Sequence, residues 1–302
     1  MKNIFWYVTD YFRSVQAVHF LYGSVFIALA IFCNYYFGVN AHINALPGVT
    51  QYTSWFLIFF CAFFVGYIVQ AWPPKKQFFQ NPIFLFFLFL APALFAWKMM
   101  AHFDFSFTAS DVENNYWNRV IYWPLKCVVV LAILLLIWKR FDTAQPFYGT
   151  AIKNFNVQPY LIMLLCMLPL LALAATQRDF LAVYPKLQNS VFLSGNGAWY
   201  YKLLYELSYG IDFFTIELFF RGFLILGFAK WAGKKAVLPM ALFYCTIHFG
   251  KPLGECISSY FGGLILGAIT LQTRTIWGGL IVHLGIAWLM EAFGYLGHSF
   301  IK

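Results

Sequence analysis

Asp212-Phe-Phe-Thr-Ile-Glu217-Leu-Phe-Phe-Arg221-Gly-Phe (212–223) places ionised groups inside an apolar run long enough to sit in a bilayer. Charges in that setting are costly, face a protein interior and mark a functional site. Glu217 and Arg221 are four residues apart, so an α-helix presents them on one face as an ion pair, acid N-terminal to base. Asp212 adds a second carboxylate near the same edge. Similar apolar runs downstream carry His248, followed by Lys251, Pro252 and Glu255, and then His283, with Glu291 two turns further on. The last third of the chain reads as a polar site built between membrane helices.

Composition extends that reading to the whole chain. Its 302 residues are 62% hydrophobic and 10% charged, with a mean hydropathy of +0.70, whereas a soluble domain is about half apolar and about a quarter charged. The expected fold is an all-α polytopic membrane bundle. Thirty-seven Phe, 19 Tyr and 11 Trp suit lipid contact, and Trp72, Trp97, Trp138 and Trp277 fall near ends of apolar runs, where aromatic rings anchor at the interface. The net charge of +9 is scattered over short loops, which fits membrane topology and not a nucleic-acid partner. The six cysteines show no Cys-x-x-Cys spacing, so neither a disulfide framework nor a zinc knuckle follows.

Residues 1–14 mix aromatics with Lys2 and Arg13, as a helix lying at the cytoplasmic interface would; a solvated start to the first span fits equally well. No signal-peptide order precedes the first run, which reads as a retained span. Spans are expected at 18–37, 53–72, 82–100, 120–138, 159–176, 211–229, 236–250, 257–272 and 276–296, about nine in all. Bases at Lys2, Arg13, Lys75, Lys76, Lys139, Arg140, Lys153, Lys230, Lys234, Lys235 and Arg274 place the N-terminus in the cytoplasm and the C-terminus outside, in a cell inner membrane. The loop at 177–210 keeps Phe180, Tyr184, Phe192, Trp199 and Tyr200, so it is expected to pack on the outer face, with a turn at 194–197. The chain divides into N-terminal spans (1–150, about four) and a polar core (151–302).

Each motif has a plain structural alternative. Glu217 and Arg221 can pin two helices together, since a carboxylate matched by a guanidinium is poorly basic. His248, in Tyr244-x-x-x-His248, can be a packing residue; Glu255 nearby argues against that, because a histidine with a carboxylate can activate water. His283 lies among Gly278, Gly279 and Gly285, and Ser259, Gly263 and Gly267 recur at every fourth position, so close helix packing accounts for much of this pattern.

The order of these pieces resembles the CPBP family of membrane proteins, which includes type II CAAX prenyl endopeptidases and proteins of bacteriocin processing or immunity. The family shows Glu-Glu-x-x-x-Arg, Phe-x-x-x-His and His-x-x-x-Asn or Asp; the counterparts are Ile216-Glu217-x-x-x-Arg221, Tyr244-x-x-x-His248 and His283-x-x-x-Ala287. The resemblance covers about 200–296. It implies that His248 activates water with a carboxylate, that His283 stabilises the oxyanion, and that Glu217 pairs with Arg221. Ile216 and Ala287 stand where the family has the first glutamate and the Asn or Asp. Glu255 is the preferred replacement carboxylate, with Glu217, Glu291 (about 12 Å beyond His283 along a helix) and Asp212 behind it.

The expected activity is hydrolysis of a peptide bond in a membrane-associated substrate, with His248, His283, Glu255 and Glu217 as catalytic residues. A non-catalytic relative that binds a membrane peptide, partner protein or lipid is the alternative, and transport comes third because no pseudo-symmetric halves are visible. With no His-Glu-x-x-His and two distant histidines, no metal and no cofactor are expected.

Overall fold

A computed structural model describes residues 2–71, 78–152, 155–186 and 199–300. Trp72, Lys75, Lys76, Lys153, Phe192 and the expected turn at 194–197 lie outside them. The helices in chain order are α1 (Lys2–Ser14), α2 (Ala17–Phe37), α3 (Val39–Asn44), α4 (Gly48–Gln70), α5 (Pro82–Met100), α6 (Asp111–Phe141), α7 (Gln158–Ala174), α8 (Arg178–Leu181), α9 (Trp199–Glu217), α10 (Ala229–Ala232), α11 (Val237–Thr246), α12 (Leu253–Thr273) and α13 (Trp277–Phe300). A π-helical segment, Leu218–Gly227, follows α9. No strand occurs among the described residues.

The protein is an all-α, multi-pass membrane bundle. Among the described residues, six helices are long and apolar enough to cross a bilayer: α2, α4, α5, α6, α12 and α13. The expected total of about nine is not reached by this measure. Helix α7 has 17 residues and α11 only 10, and the run at 211–229 is divided between the end of α9 and the π segment. Large apolar side chains such as Leu21, Leu136 and Leu165 stay exposed on the protein, as lipid-facing positions do. Pro92, Pro124 and Pro169 lie inside α5, α6 and α7, a placement tolerated where neighbouring helices satisfy the freed backbone groups.

The chain forms two compact units. The first comprises 1–100, 144–151 and 219–276; the second comprises 101–143, 152–218 and 277–302. In the first, α4 packs on α11 so closely that a Cβ on Gly66 would meet Pro239 Cα at 2.5 Å. Aromatic rings fill the interior, with Phe59, Phe63, Phe95, Phe219 and Phe220 around Phe243. Helix α1 forms as expected. It exposes Phe5 and Trp6, buries Tyr11, and is tied down by Asp10 Oδ2, which accepts from Lys234 Nζ at 2.7 Å and Gln272 Nε2 at 3.0 Å.

In the second unit α6 packs along α9. Ser208 donates to the Val120 carbonyl, Tyr116 donates to the Tyr201 carbonyl at 2.8 Å, and the Trp123 ring stands 5.3 Å from that of Tyr209. Helix α13 lies against α7 through glycine: a Cβ on Gly285 would meet Leu164 at 2.7 Å. Small residues let membrane helices approach closely, which supplies their packing attraction.

Candidate functional site

Glu217 is the last residue of α9 and His283 lies in the second turn of α13, both in the second unit. Glu217 Oε1 is 2.9 Å from His283 Nδ1; the Glu217 side chain is fully buried and that of His283 is 14% exposed. The pair meets because Gly279, in the first turn of α13, has no side chain in the way. A Cβ on Gly279 would stand 2.3 Å from Glu217 Oε2, and one on Gly278 would run into the Tyr160 ring at 2.1 Å. The small residues around His283 thus admit a carboxylate as well as a helix. Phe213 presents its ring to the imidazole at 4.7 Å and 83°. An ionised carboxylate only accepts, so Nδ1 carries the hydrogen of this bond.

His248 belongs to the first unit and has a different partner. Its Nδ1 is 3.0 Å from the Tyr244 carbonyl oxygen, one turn earlier, and the two rings meet at 4.8 Å and 65°. A carbonyl can only accept, so Nδ1 carries the proton, and neutral His248 has its lone pair on Nε2. Arg221 is buried in the π segment, with its guanidinium 4.1 Å from the Tyr244 ring centroid in a cation–π contact. The spacing that put Glu217 and Arg221 on one face assumes α periodicity, whereas 218–227 has the wider π register. Glu255, in the first turn of α12, bridges Lys251 Nζ at 3.4 Å.

Of the two positions that depart from the motifs, Ala287 is apolar in its surroundings as well as in itself. Ala287 is buried among Tyr116, Val120, Trp123, Tyr205, Tyr209 and Phe213; Ile216 is half-buried. Glu291 accepts the Lys186 N–H at 3.1 Å, and Asp212 is partly buried on α9. The sulfurs of Cys245 and Cys256 lie 4.0 Å apart as free thiols, a proximity that their 11-residue separation did not signal. Sequence reasoning also passed over Glu206, in the half of α9 ahead of the expected span at 211–229. Burial, and then the nearby Glu291 carboxylate, push its pKa up to about 7, with Lys186 opposing. Among the described residues no group of three or more His, Cys, Asp or Glu is placed to hold a metal.

Comparison with known proteins adds one match. No curated protein and no solved structure matches the chain. Residues 200–289 match the family model described as "Type II CAAX prenyl endopeptidase Rce1-like". The stretch that carries Glu217, His248 and His283 is therefore similar to the type II CAAX prenyl endopeptidases, which is consistent with the resemblance of the three motifs to the CPBP family as a whole.

Proposed function

We propose that this protein is a membrane-embedded endopeptidase of the CPBP type, cleaving a peptide bond in a membrane-associated substrate. The observation that carries the reading is the buried Glu217–His283 pair at 2.9 Å. His248 takes a proton from water through Nε2, and the hydroxide adds to the scissile carbonyl. His283, charged and balanced by Glu217, donates Nε2–H to the oxyanion. Collapse of the tetrahedral intermediate sends the proton on His248 to the leaving amine. Glu255, ion-paired with Lys251, is less suited to act as a base and tunes the field at the turn after His248. Arg221 supports the Tyr244 ring through its cation–π contact.

The test is hydrolysis of a panel of membrane-tethered peptides, prenylated and unprenylated, by the purified protein and by His248→Ala, His283→Ala and Glu217→Gln. Loss of turnover in all three folded variants is expected; a fully active His248→Ala would overturn the mechanism. A second reading draws on Ala287, whose apolar surroundings lack the Asn or Asp of the motif. In that reading the protein binds a membrane peptide, partner protein or lipid without cleaving it, and binding survives His248→Ala. The cytoplasmic N-terminus, outer C-terminus and inner-membrane location belong to the same proposal.

A further inference from the structure

Helix α11 ends at Thr246 and α12 begins at Leu253, so the carbonyls of the turn between them need donors from elsewhere. His248 sits within that turn: its N–H donates to the Cys245 carbonyl at 3.0 Å, and its own carbonyl accepts from Lys251 N at 3.0 Å. Helix α2, distant in sequence but in the same unit, supplies two further donors. Asn34 Nδ2 donates to the Phe249 carbonyl at 2.8 Å, and the Tyr35 hydroxyl donates to the Lys251 carbonyl at 2.5 Å.

Asn34 is 3% exposed, and its Oδ1 accepts the Asn40 N–H at 3.0 Å, so both ends of its amide are engaged. The side chain of Asn40 faces Gly250, where an added Cβ would stand 3.2 Å from it. Asn40 Oδ1 accepts from Asn44 Nδ2 at 3.1 Å, and Asn44 Oδ1 accepts from Trp55 Nε1 at 3.2 Å. The relay Asn34–Asn40–Asn44–Trp55 ties the turn after His248 to α2, α3 and α4. A buried amide inside an apolar span costs free energy unless it is hydrogen-bonded. Here its bonds serve this turn and the helix junction beside it.

We infer that Asn34, supported by Tyr35, is a positioning residue for His248: it caps the end of α11 from α2 and so fixes the imidazole against the Tyr244 carbonyl. Without a donor, the peptide after Phe249 rotates to find one and carries His248 with it. Both residues lie outside 200–289, so the N-terminal helices acquire a part in the site. The inference rests on the role proposed above for His248.

The experiment is imidazole nitrogen NMR on the full-length, ¹⁵N-histidine-labelled protein in lipid nanodiscs, with His248 assigned from His248→Gln. In the wild type, neutral His248 is expected as the Nδ1–H tautomer alone. Asn34→Leu should give a mixture of the two tautomers, Asn34→Gln should restore the single form in part, and Tyr35→Phe should mix them less. In a hydrolysis assay Asn34→Leu should lower kcat about tenfold with little change in KM. A folded Asn34→Leu variant that keeps the Nδ1–H tautomer overturns the inference. Should that variant not fold, an unchanged tautomer in both Tyr35→Phe and Gly250→Ala overturns it equally. The NMR readout needs no substrate. If His248→Ala still cleaves peptide while Asn34→Leu mixes the tautomers, the peptidase mechanism falls and the positioning role stands.

Discussion

The two histidines resemble each other in sequence and differ in what holds them. His283 Nδ1 meets a fully buried carboxylate across two helices, whereas His248 Nδ1, in the turn after α11, meets the backbone carbonyl of Tyr244 in the last turn of that helix. Both partners accept from Nδ1, so the two rings differ in the charge and the origin of what holds them, one a side-chain carboxylate on another helix and the other a nearby backbone carbonyl. The construction differs too. The His283 pair depends on tertiary contact through Gly279, and the His248 contact is local, spanning four residues from the end of α11 into the turn that follows it.

The largest effects should come from the rings. His248→Ala is expected to cost about 10²–10⁴ in kcat, the range for a general base, and His283→Ala about 10²–10³, the range for an oxyanion donor. Glu217→Gln sharpens the contrast, because it removes the carboxylate from one histidine only. It should lower kcat by a similar factor and leave the imidazole nitrogen spectrum of His248 unchanged. A change at His248 would show that the difference in partners does not separate the roles.

Gly279→Ala attacks the construction. The added methyl falls 2.3 Å from Glu217 Oε2 and must displace it, at about 1–3 kcal/mol. Glu217→Asp shortens the acid by one methylene and should recover part of the lost thermal stability in the double variant, as a size-matched rescue would. Gly262→Ala, with nothing within 4 Å of the new Cβ, is the control and should melt like the wild type. Equal melting of Gly279→Ala and Gly262→Ala would mean that the carboxylate has room to move and that the pair is loosely held.

The fold class was legible because membrane spans announce themselves by length and apolarity, and the motif residues stood out because charge is rare in such runs. The ends of the spans were less legible. At 211–229 the helix changes register after Glu217, and at 236–250 it stops at Thr246; both depend on packing that hydropathy does not encode. Glu217 and His283 were each visible, but not their contact. Helical periodicity ties Glu217 to Arg221, while the approach to His283 is decided by the missing side chain of Gly279 on another helix. Asn34 was hidden for the opposite reason: one amide in Ala17–Phe37 carries no pattern until the turn it caps is in view.

Glu206 offers the smallest test, and it bears on the second unit alone. Its pKa is raised from 4.5 to about 7, first by burial and then by Glu291. A carboxyl that is harder to ionise when folded keeps its proton longer than it does in the unfolded chain. Between pH 4.5 and about 7 the unfolded state therefore releases that proton first, and stability falls as pH rises through this window. Below and above it the contribution is flat. Melting temperatures in detergent at pH 5 and pH 7.5 should show the protein less stable at the higher pH, and Glu206→Gln should reduce the difference. If the slope is the same in both proteins, another group carries it. If Glu206→Gln removes the slope and leaves turnover of the peptide panel intact, the acid is a structural burden of the α9–α13 packing, separate from the Glu217–His283 pair on the same two helices.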